Sequence, residues 1–381
     1  MKTTVLCLTA TLALGLNSTL HAAPGVTDTE ITLGQTAVFE GPASALGLGM
    51  RAGLQACFNQ VNESGGVGGR KIKLITKDDG YEPDKAIANT RALINDDKVL
   101  LLIGGVGTPT AKAIVPICEE NQVPFVAPFT GAGLLRSPFK KYVVNVRASY
   151  GQEMERIAKH LIDDKKFTKV ACFHQNDDYG QAGLKGIEAA LKKRSLELVA
   201  TGNYERNTTA VKTGLLDIKK GEPQAIVMVG TYKACAEFIK LAKKVGLGDA
   251  VFCNISFVGT KALLAELGGE GNGVVISQVV PAPTGDNLDI LKEYNAAMKK
   301  HQPGMEPDWI SLEGFLAGRF FCKVAETAGK DLNRESFLTA VDQTATFDIS
   351  GINLKFGPDD HQGMDDVFLT VVKDGQAVPL Q

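Results

Sequence analysis

The stretch from Leu100 to Arg136, LLLIGGVGTPTAKAIVPICEENQVPFVAPFTGAGLLR, sets the strongest limit on what this chain can fold into. Two apolar, strand-like runs, Val99–Ile103 and Val123–Ala127, each end in a loop of Gly, Thr and Pro that leads into a helical pattern. Strand, loop and helix repeated in that order require a parallel sheet, because parallel neighbours need a long crossover between them. Neither loop carries an acid, a His, a Cys or a Lys. Loops at the carboxyl ends of buried strands present N–H groups and hydroxyls, with helix N-termini behind them. Such loops suit holding an anionic small molecule better than reacting with it.

The same alternation runs along most of the chain. Ile31–Val38 reads as a strand, Leu46–Ser64 as a helix closed by Gly65-Gly66, Lys71–Lys77 as a strand and Pro83–Asp96 as a helix opened by proline; Val143–Val146 follows the paired loops as a strand. A second copy starts near Tyr150, with helix Gly151–Asp163, strand Lys169–His174, helix Gln181–Arg194 and strand Glu197–Gly202. It continues with helix Ala210–Lys219, strand Ala225–Val229, helix Lys233–Val245 and strand Ala250–Ile255. The expected fold is α/β, with two doubly wound parallel-sheet lobes and a cleft between them lined by strand ends. Asn287–His301, Leu312–Ala328 and Arg334–Val341 are amphipathic helices. After Thr346, short strands around Gly357-Pro358-Asp359-Asp360 and Asp374-Gly375 read as an antiparallel hairpin pair. Periodicity does not say which lobe owns these last pieces.

The first residues fix the expected compartment. Lys2, the apolar run Val5–Leu16 and Ala22-Ala23 before Pro24 have the order of a cleaved signal peptide, assigned to residues 1–23. Cys7 lies too near the start, without the small-residue setting of a lipid-anchoring cysteine. A soluble, exported protein is expected, and the remaining chain of about 360 residues is enough for two lobes. Lys plus Arg (41) and Asp plus Glu (43) nearly cancel, so no field attracts nucleic acid or an anionic membrane, and no further run is long enough for membrane insertion. Lys192-Lys193-Arg194 and Lys299-Lys300 close helical patterns, where cations complement the helix dipole. Cys57, Cys118, Cys172, Cys235, Cys253 and Cys322 follow the signal; an even number suggests disulfides, spacing does not choose their pairing, and Cys118, Cys172 and Cys253 equally suit buried thiols.

Catalytic and cofactor readings find little support. Gly66-Val67-Gly68-Gly69 lies between a helix and a strand, the wrong context for a dinucleotide loop, and GGVGTPT lacks the Lys of a phosphate loop. His160, His174, His301 and His361 have no paired spacing for zinc, no Cys/His pattern suggests a metal, and no Gly-x-Ser-x-Gly elbow occurs. Asp78-Asp79 and Asp177-Asp178 follow strands, where carboxylates more often cap helices and build turns than act as acid and base. No enzyme, cofactor or metal is expected.

Several segments, taken in order and spacing, resemble the periplasmic substrate-binding proteins of the branched-chain amino acid (Leu/Ile/Val-binding) type, the ligand receptors of ABC importers. They are Glu40-Gly41-Pro42, Asn62 to Arg70 (NESGGVGGR), Asp78 to Pro83 (DDGYEP), Gly104 to Thr110, Pro128 to Ala132 (PFTGA), Arg147 to Tyr150 (RASY) and Asn176 to Gly180 (NDDYG), and the match covers nearly the whole mature chain. The resemblance implies a type I binding-protein fold with three crossovers, near Arg147–Ser149, Val279–Pro281 and Phe347–Ser350. Lobe one would comprise 24–148 plus 281–346, and lobe two 149–280 plus 347–381. It also implies a Cys57–Cys322 bridge, because the first and the returning helix would share one face of the lobe-one sheet. The family's better-known bridge needs cysteines near Tyr81 and Val106, where this chain has none.

The family's ligand contacts carry over to the loops at Gly41 to Leu46, Gly107 to Thr110 and Phe129-Thr130-Gly131, with Thr108 and Thr130 foremost for the ligand's polar end. Tyr179 and Tyr232 match positions where aromatics close over the ligand, and Ser256 marks the lobe-two loop. Two departures stand out. Leu46 replaces a common aromatic, and the acid that meets the ligand's ammonium near Ser256 is missing, leaving Asn254, Ser256 and Phe257. An unpaired ammonium in a dry cleft is costly, so the resemblance leaves open an amide, urea-like or aromatic carboxylate ligand. It equally leaves open an amino acid served by carbonyls and a distant acid such as Glu313, for which helix-dipole complementation is the plainer reading. The implied role is an extracytoplasmic solute receptor, expected to act as a monomer and to deliver its ligand to an ABC permease. The alternative is a sensor subunit for a membrane receptor.

Overall fold

In the computed structural model, residues 23–380 are described, so the expected signal segment lies outside them except for Ala23. The first lobe is built from β1 (Glu30–Ala37), α1 (Ser44–Glu63), β2 (Lys71–Asp78), α2 (Pro83–Asn95), β3 (Leu102–Ile103), α3 (Thr108–Glu120), β4 (Phe125–Val126) and β5 (Val143–Val144). Its sheet has the order β2-β1-β3-β4-β5, and every pairing is parallel. Leu102, Phe125 and Val143 face α2 and α3, while Ile103, Val126 and Val144 join the core that α1 covers. Burial on both faces explains why these strands read as continuous apolar runs.

The second lobe contains α4 (Tyr150–Ala158), β6 (Val170–Gln175), α5 (Asp178–Lys192), β7 (Leu198–Tyr204), α6 (Lys212–Lys219), β8 (Ala225–Val229), α7 (Tyr232–Lys244), β9 (Val251–Asn254), α8 (Thr260–Leu267) and β10 (Val275–Gln278). A π-helical stretch, Lys159–Asp164, extends α4 to the expected end of that helix. Then α9 (Asp289–His301), α10 (Trp309–Ala328) and α11 (Arg334–Gln343) return to lobe one, where α9 and α10 pack on α1. A Cβ on Gly53 would lie 1.9 Å from Ser311 O, and one on Gly314 2.3 Å from Met50 O. The two helices cross backbone to backbone, which only glycine at both points allows. Among the described residues, no helix is long and apolar enough to cross a membrane.

The C-terminal part departs from expectation. β11 (Thr346–Ile349) and β12 (Ile352–Lys355) form a hairpin that turns at Ser350-Gly351, and Gly357 to Asp360 closes a separate small loop. This hairpin stays with lobe one: Phe347 and Phe356 pack on Phe320 of α10, and Ile290 N donates to Ser350 O. Asn145 N donates to His361 O and Gly363 N to Asn145 O, holding the following loop at the end of the lobe-one sheet. The last crossover therefore falls after Gly363 and not at Phe347–Ser350, and aromatic packing decides it. Only β13 (Phe368–Lys373) and β14 (Gln376–Pro379) join lobe two, antiparallel, giving the order β14-β13-β10-β9-β8-β6-β7.

All six described cysteines are buried free thiols, so the Cys57–Cys322 bridge is not formed. The geometry behind that expectation is present nonetheless. A Cβ on Gly318 would lie 2.9 Å from Cys57 Sγ, one helical turn from Cys322.

Candidate functional site

The Gly/Thr/Pro loops end where the lobes meet. Gly107, at φ 102°, is the N-cap of α3, and the proline at the second helical position removes one donor that the first turn could not satisfy. Thr110 Oγ1 donates to Val106 O (2.5 Å), closing the loop on itself, whereas Thr108 Oγ1 shares a hydrogen bond of 2.7 Å with Thr130 Oγ1. Thr130 Oγ1 in turn donates to Tyr150 Oη (3.2 Å), and Tyr150 N donates to Gly131 O (2.7 Å). Two lobe-one loops and the first turn of α4 thus present one buried chain of hydroxyls. Burial pushes the Tyr150 phenol up to about 12, so it remains a neutral donor and acceptor.

Lobe two covers this chain with aromatic side chains. Phe257 stacks on Phe129 (5.3 Å between centroids), leans on Tyr179 (4.6 Å) and reaches Tyr81 (6.2 Å). Tyr179 Oη donates to Gly230 O (3.4 Å), and Tyr232 Oη accepts from Ala45 N of lobe one (3.4 Å). Leu46 is buried at the same boundary, where a Cβ on Gly259 would meet Leu46 Cδ2 at 2.8 Å. The residues anticipated at 46, 108, 129, 130, 179, 232 and 256 therefore come together, all buried. Gly41 does not: it is exposed, and nothing lies within 4 Å of a Cβ built there.

Five contributors escaped the sequence. Tyr81 is buried at φ 64°, a strained conformation for an aromatic residue, and its ring fills the space where a Gly107 side chain would stand, 2.1 Å from Cε2. Its Oη accepts from Gln175 Nε2 of lobe two (3.4 Å). The other three are Arg147, Glu153 and Tyr150. Arg147 Nη2 donates to Glu153 Oε1 (2.8 Å) and to Ser256 Oγ. Glu153 also accepts from Ser256 Oγ (3.0 Å), Ser256 N (2.9 Å) and Ser277 Oγ (2.5 Å). A lone Arg in the apolar run VVNVRA was the available signal for a buried charge, since burial of Arg requires a partner.

Glu313 stands on the other side of Arg147, its Oε1 3.5 Å from Nη1. It lies in the second turn of α10, beyond the first turn where the helix dipole acts, because Asp308 caps the helix three residues earlier than the pattern suggested. Burial first, with Glu153 adding, pushes its carboxyl up to about 7 against the pull of Arg147. Burial opposes the charge on Arg147, but Glu313 and Glu153 outweigh it and hold that guanidinium above its ordinary value.

At the cleft mouth the lobes are joined by ions and amides. Arg206 Nη2 reaches Glu82 Oε2 (2.8 Å) and Nη1 reaches Asp177 Oδ2 (3.3 Å), Asn207 Nδ2 donates to Glu82 Oε1 (2.7 Å), and Lys112 pairs with Asp178 (2.7 Å). Of the adjacent aspartates, Asp177 caps α5 through Tyr179 N and Gly180 N, Asp79 accepts from Tyr81 N and Thr36 Oγ1, and Asp78 accepts from Phe39 N and Glu40 N. They build turns, as carboxylates after strands do.

Comparison with known proteins finds the same fold. A family model described as periplasmic binding protein matches residues 30–377. A crystal structure of a possible leucine/isoleucine/valine-binding protein from Rhodopirellula baltica superposes with a TM-score of 0.89 at 34% identity, covering 93% of this chain and 96% of that one. Leu/Ile/Val-binding protein homolog 7 of Brucella abortus is 26% identical over 60% of this chain, and the match spans 59% of that relative's length. A fatty acid ABC transporter substrate-binding protein from Thermomonospora curvata shares the fold at 23% identity, with a TM-score of 0.84 over 94% of this chain and 93% of that one.

Proposed function

The chain belongs to the periplasmic binding protein family, and within it we propose that this member is an extracytoplasmic solute receptor. It captures an amino acid, or a related small carboxylate or amide, between its lobes and delivers it to an ABC permease. The observation that carries this reading is the Thr108–Thr130 hydroxyl pair, 2.7 Å apart at the ends of two lobe-one strands and roofed by lobe-two aromatics. Thr108 and Thr130 hold the ligand's polar end; Leu46, Phe129, Tyr179, Tyr232 and Ser256 enclose the rest. The Leu/Ile/Val names of the Brucella and Rhodopirellula relatives favour an amino acid.

The ligand docks on lobe one, lobe two swings about the crossovers, and the bonds of Tyr232, Gln175, Arg206 and Lys112 across the boundary hold the closed form. Closure follows from contacts the ligand makes only when both lobes reach it. The receptor works as a monomer in the periplasm after loss of residues 1–23. A thermal-shift screen over amino acids, amides and aromatic acids, followed by small-angle scattering with the best ligand, tests the reading. Stabilisation by one class with compaction is expected; no stabilisation, or binding without compaction, refutes it.

A further inference from the structure

Four charged side chains meet where the first crossover enters lobe two, and only one of the two acids is satisfied by the protein. Glu153 accepts four hydrogen bonds, from Arg147, Ser256 twice and Ser277, and has no capacity left. Arg136 is likewise occupied, donating to Ala132 O, Arg147 O and Gln362 Oε1. Glu313 differs. It is buried, no hydrogen-bond donor among the described residues reaches it, and its ionic partner is Arg147 Nη1 at 3.5 Å. Facing it, Arg147 is fully buried with both Nε and Nη1 lacking an acceptor. Open buried donors and an open buried acid side by side are costly unless a third party completes both.

The position of the pair says what the third party touches. One turn before Glu313, Ile310 meets lobe two: a Cβ on Gly259 would lie 3.3 Å from Ile310 Cδ1. The guanidinium carbon of Arg147 stands 5.2 Å from the Phe129 ring centre and 5.8 Å from that of Tyr150, whose hydroxyl belongs to the Thr108–Thr130 chain. The open pair therefore borders the hydroxyl chain at the closed boundary. The formal charges of Arg136, Arg147, Glu153 and Glu313 cancel when Glu313 is ionised, so a zwitterion, whose ammonium favours the ionised carboxylate, leaves the site balanced.

We propose that Glu313 takes the ammonium of a zwitterionic ligand while Arg147 and the hydroxyl chain take its carboxylate, so that the acid absent near Ser256 is supplied from the returning helix of lobe one. This deepens the amino-acid reading above and rests on it. Selection is then for net-neutral dipolar solutes, and Glu313 sets that specificity.

The test compares L-leucine, 4-methylpentanoate and leucinamide as probes on the wild-type full mature protein and on Glu313→Gln, by calorimetry at pH 7. In wild type, leucine is expected to bind tighter than its des-amino analogue; in the variant that preference falls roughly 10- to 100-fold, the worth of a hydrogen-bonded charge, while 4-methylpentanoate binds as well or better. A variant that keeps the wild-type preference overturns the proposal and leaves the receptor reading standing. Binding of none of the probes, nor of any other amino acid, to wild type overturns both. Wild type supplies a second readout should the variant fail to fold. Burial raises the Glu313 carboxyl toward neutrality, so a zwitterion whose ammonium pairs with it displaces its proton, and that release is read from the buffer dependence of the binding heat. No proton release overturns the proposal as well.

Discussion

Replacing Arg147 by Met should destabilise the protein by an amount that grows with pH, and the structure supplies both parts of the number. Arg147 is buried against Glu153 Oε1 at 2.8 Å and Glu313 Oε1 at 3.5 Å. Breaking a buried pair by removing one partner costs about 3–5 kcal/mol; three serine donors remain on Glu153, so the low end, ~3 kcal/mol, is expected at pH 6. The second part comes from Glu313. Its folded pKa of about 7 exceeds the ordinary 4.5, so the folded state binds the proton more tightly and stability falls as pH rises from 4.5 to 7. Without Arg147 that pKa climbs further and the fall continues above pH 7, widening the gap between variant and wild type by up to about 1.4 kcal/mol per pH unit. Asp79 and Asp308, both pushed up to about 6 by burial, slope the same way in both proteins and cancel in the difference. Urea unfolding followed by circular dichroism at pH 6, 7 and 8 measures it. The double variant Arg147→Met, Glu153→Met should recover most of the loss at pH 6, with a coupling of about 2 kcal/mol or more. A gap under about 1 kcal/mol, or one equal at pH 6 and 8, would refute the assignment of these charges.

Gly107→Ala sets a Cβ 2.1 Å from Tyr81 Cε2 at φ 102° and should cost about 2–4 kcal/mol in urea unfolding, whereas Gly133→Ala, with open space around it, should stay within about 0.5 kcal/mol; equal effects would discredit the Tyr81 packing. Arg206→Ala removes the Glu82 and Asp177 contacts at the cleft mouth, is worth about 1 kcal/mol because the side chains are partly exposed, and should speed ligand release roughly fivefold in stopped flow; an unchanged off-rate would remove these ions from the closed form. Thiol titration should find none of the six described cysteines reactive in the native protein and all six in guanidinium; four would mean that one pair is bridged.

Most of the fold was legible because the central parallel strands are covered on both faces, which makes them continuous apolar runs, while the edge strands β2 and β7 keep exposed positions and the helices between follow their own period. β8 illustrates this, Ala225–Val229 being buried at every position. The failures are equally physical. Thr260–Leu267 and Val275–Gln278 are too short to establish a period and are separated by Gly268, Gly269, Gly271 and Gly273, which read as loop. Ownership of the β11–β12 hairpin depends on Phe347 and Phe356 finding Phe320, a tertiary fact with no local trace. In the candidate site, the two Gly/Thr/Pro loops stand out by composition, whereas Leu46, Tyr179, Tyr232 and Ser256 came only from the resemblance. Tyr81 was not legible, since its left-handed backbone follows a glycine that would have been the natural occupant.

The acid near Ser256 shows why matching positions and matching chemistry diverge. A carboxylate does stand there, but it is that of Glu153, delivered by the first helix of lobe two and accepting from Ser256 N and Oγ. Because Arg147 neutralises it and four donors saturate it, it serves to fix the crossover and the Ser256 loop. Phe257, the next residue in that loop, is then free to turn its ring onto Phe129 and Tyr179 and close the boundary by apolar contact. Charge balance moves the open acid to the other face of the same guanidinium, where Glu313 waits on a helix of the opposite lobe. One arginine thus separates an acid saturated by the protein from an acid that no hydrogen-bond donor among the described residues reaches, and it sits on the first segment that passes between the lobes. The ligand we propose, completing Arg147 and Glu313, would engage the crossover and the binding surface at once.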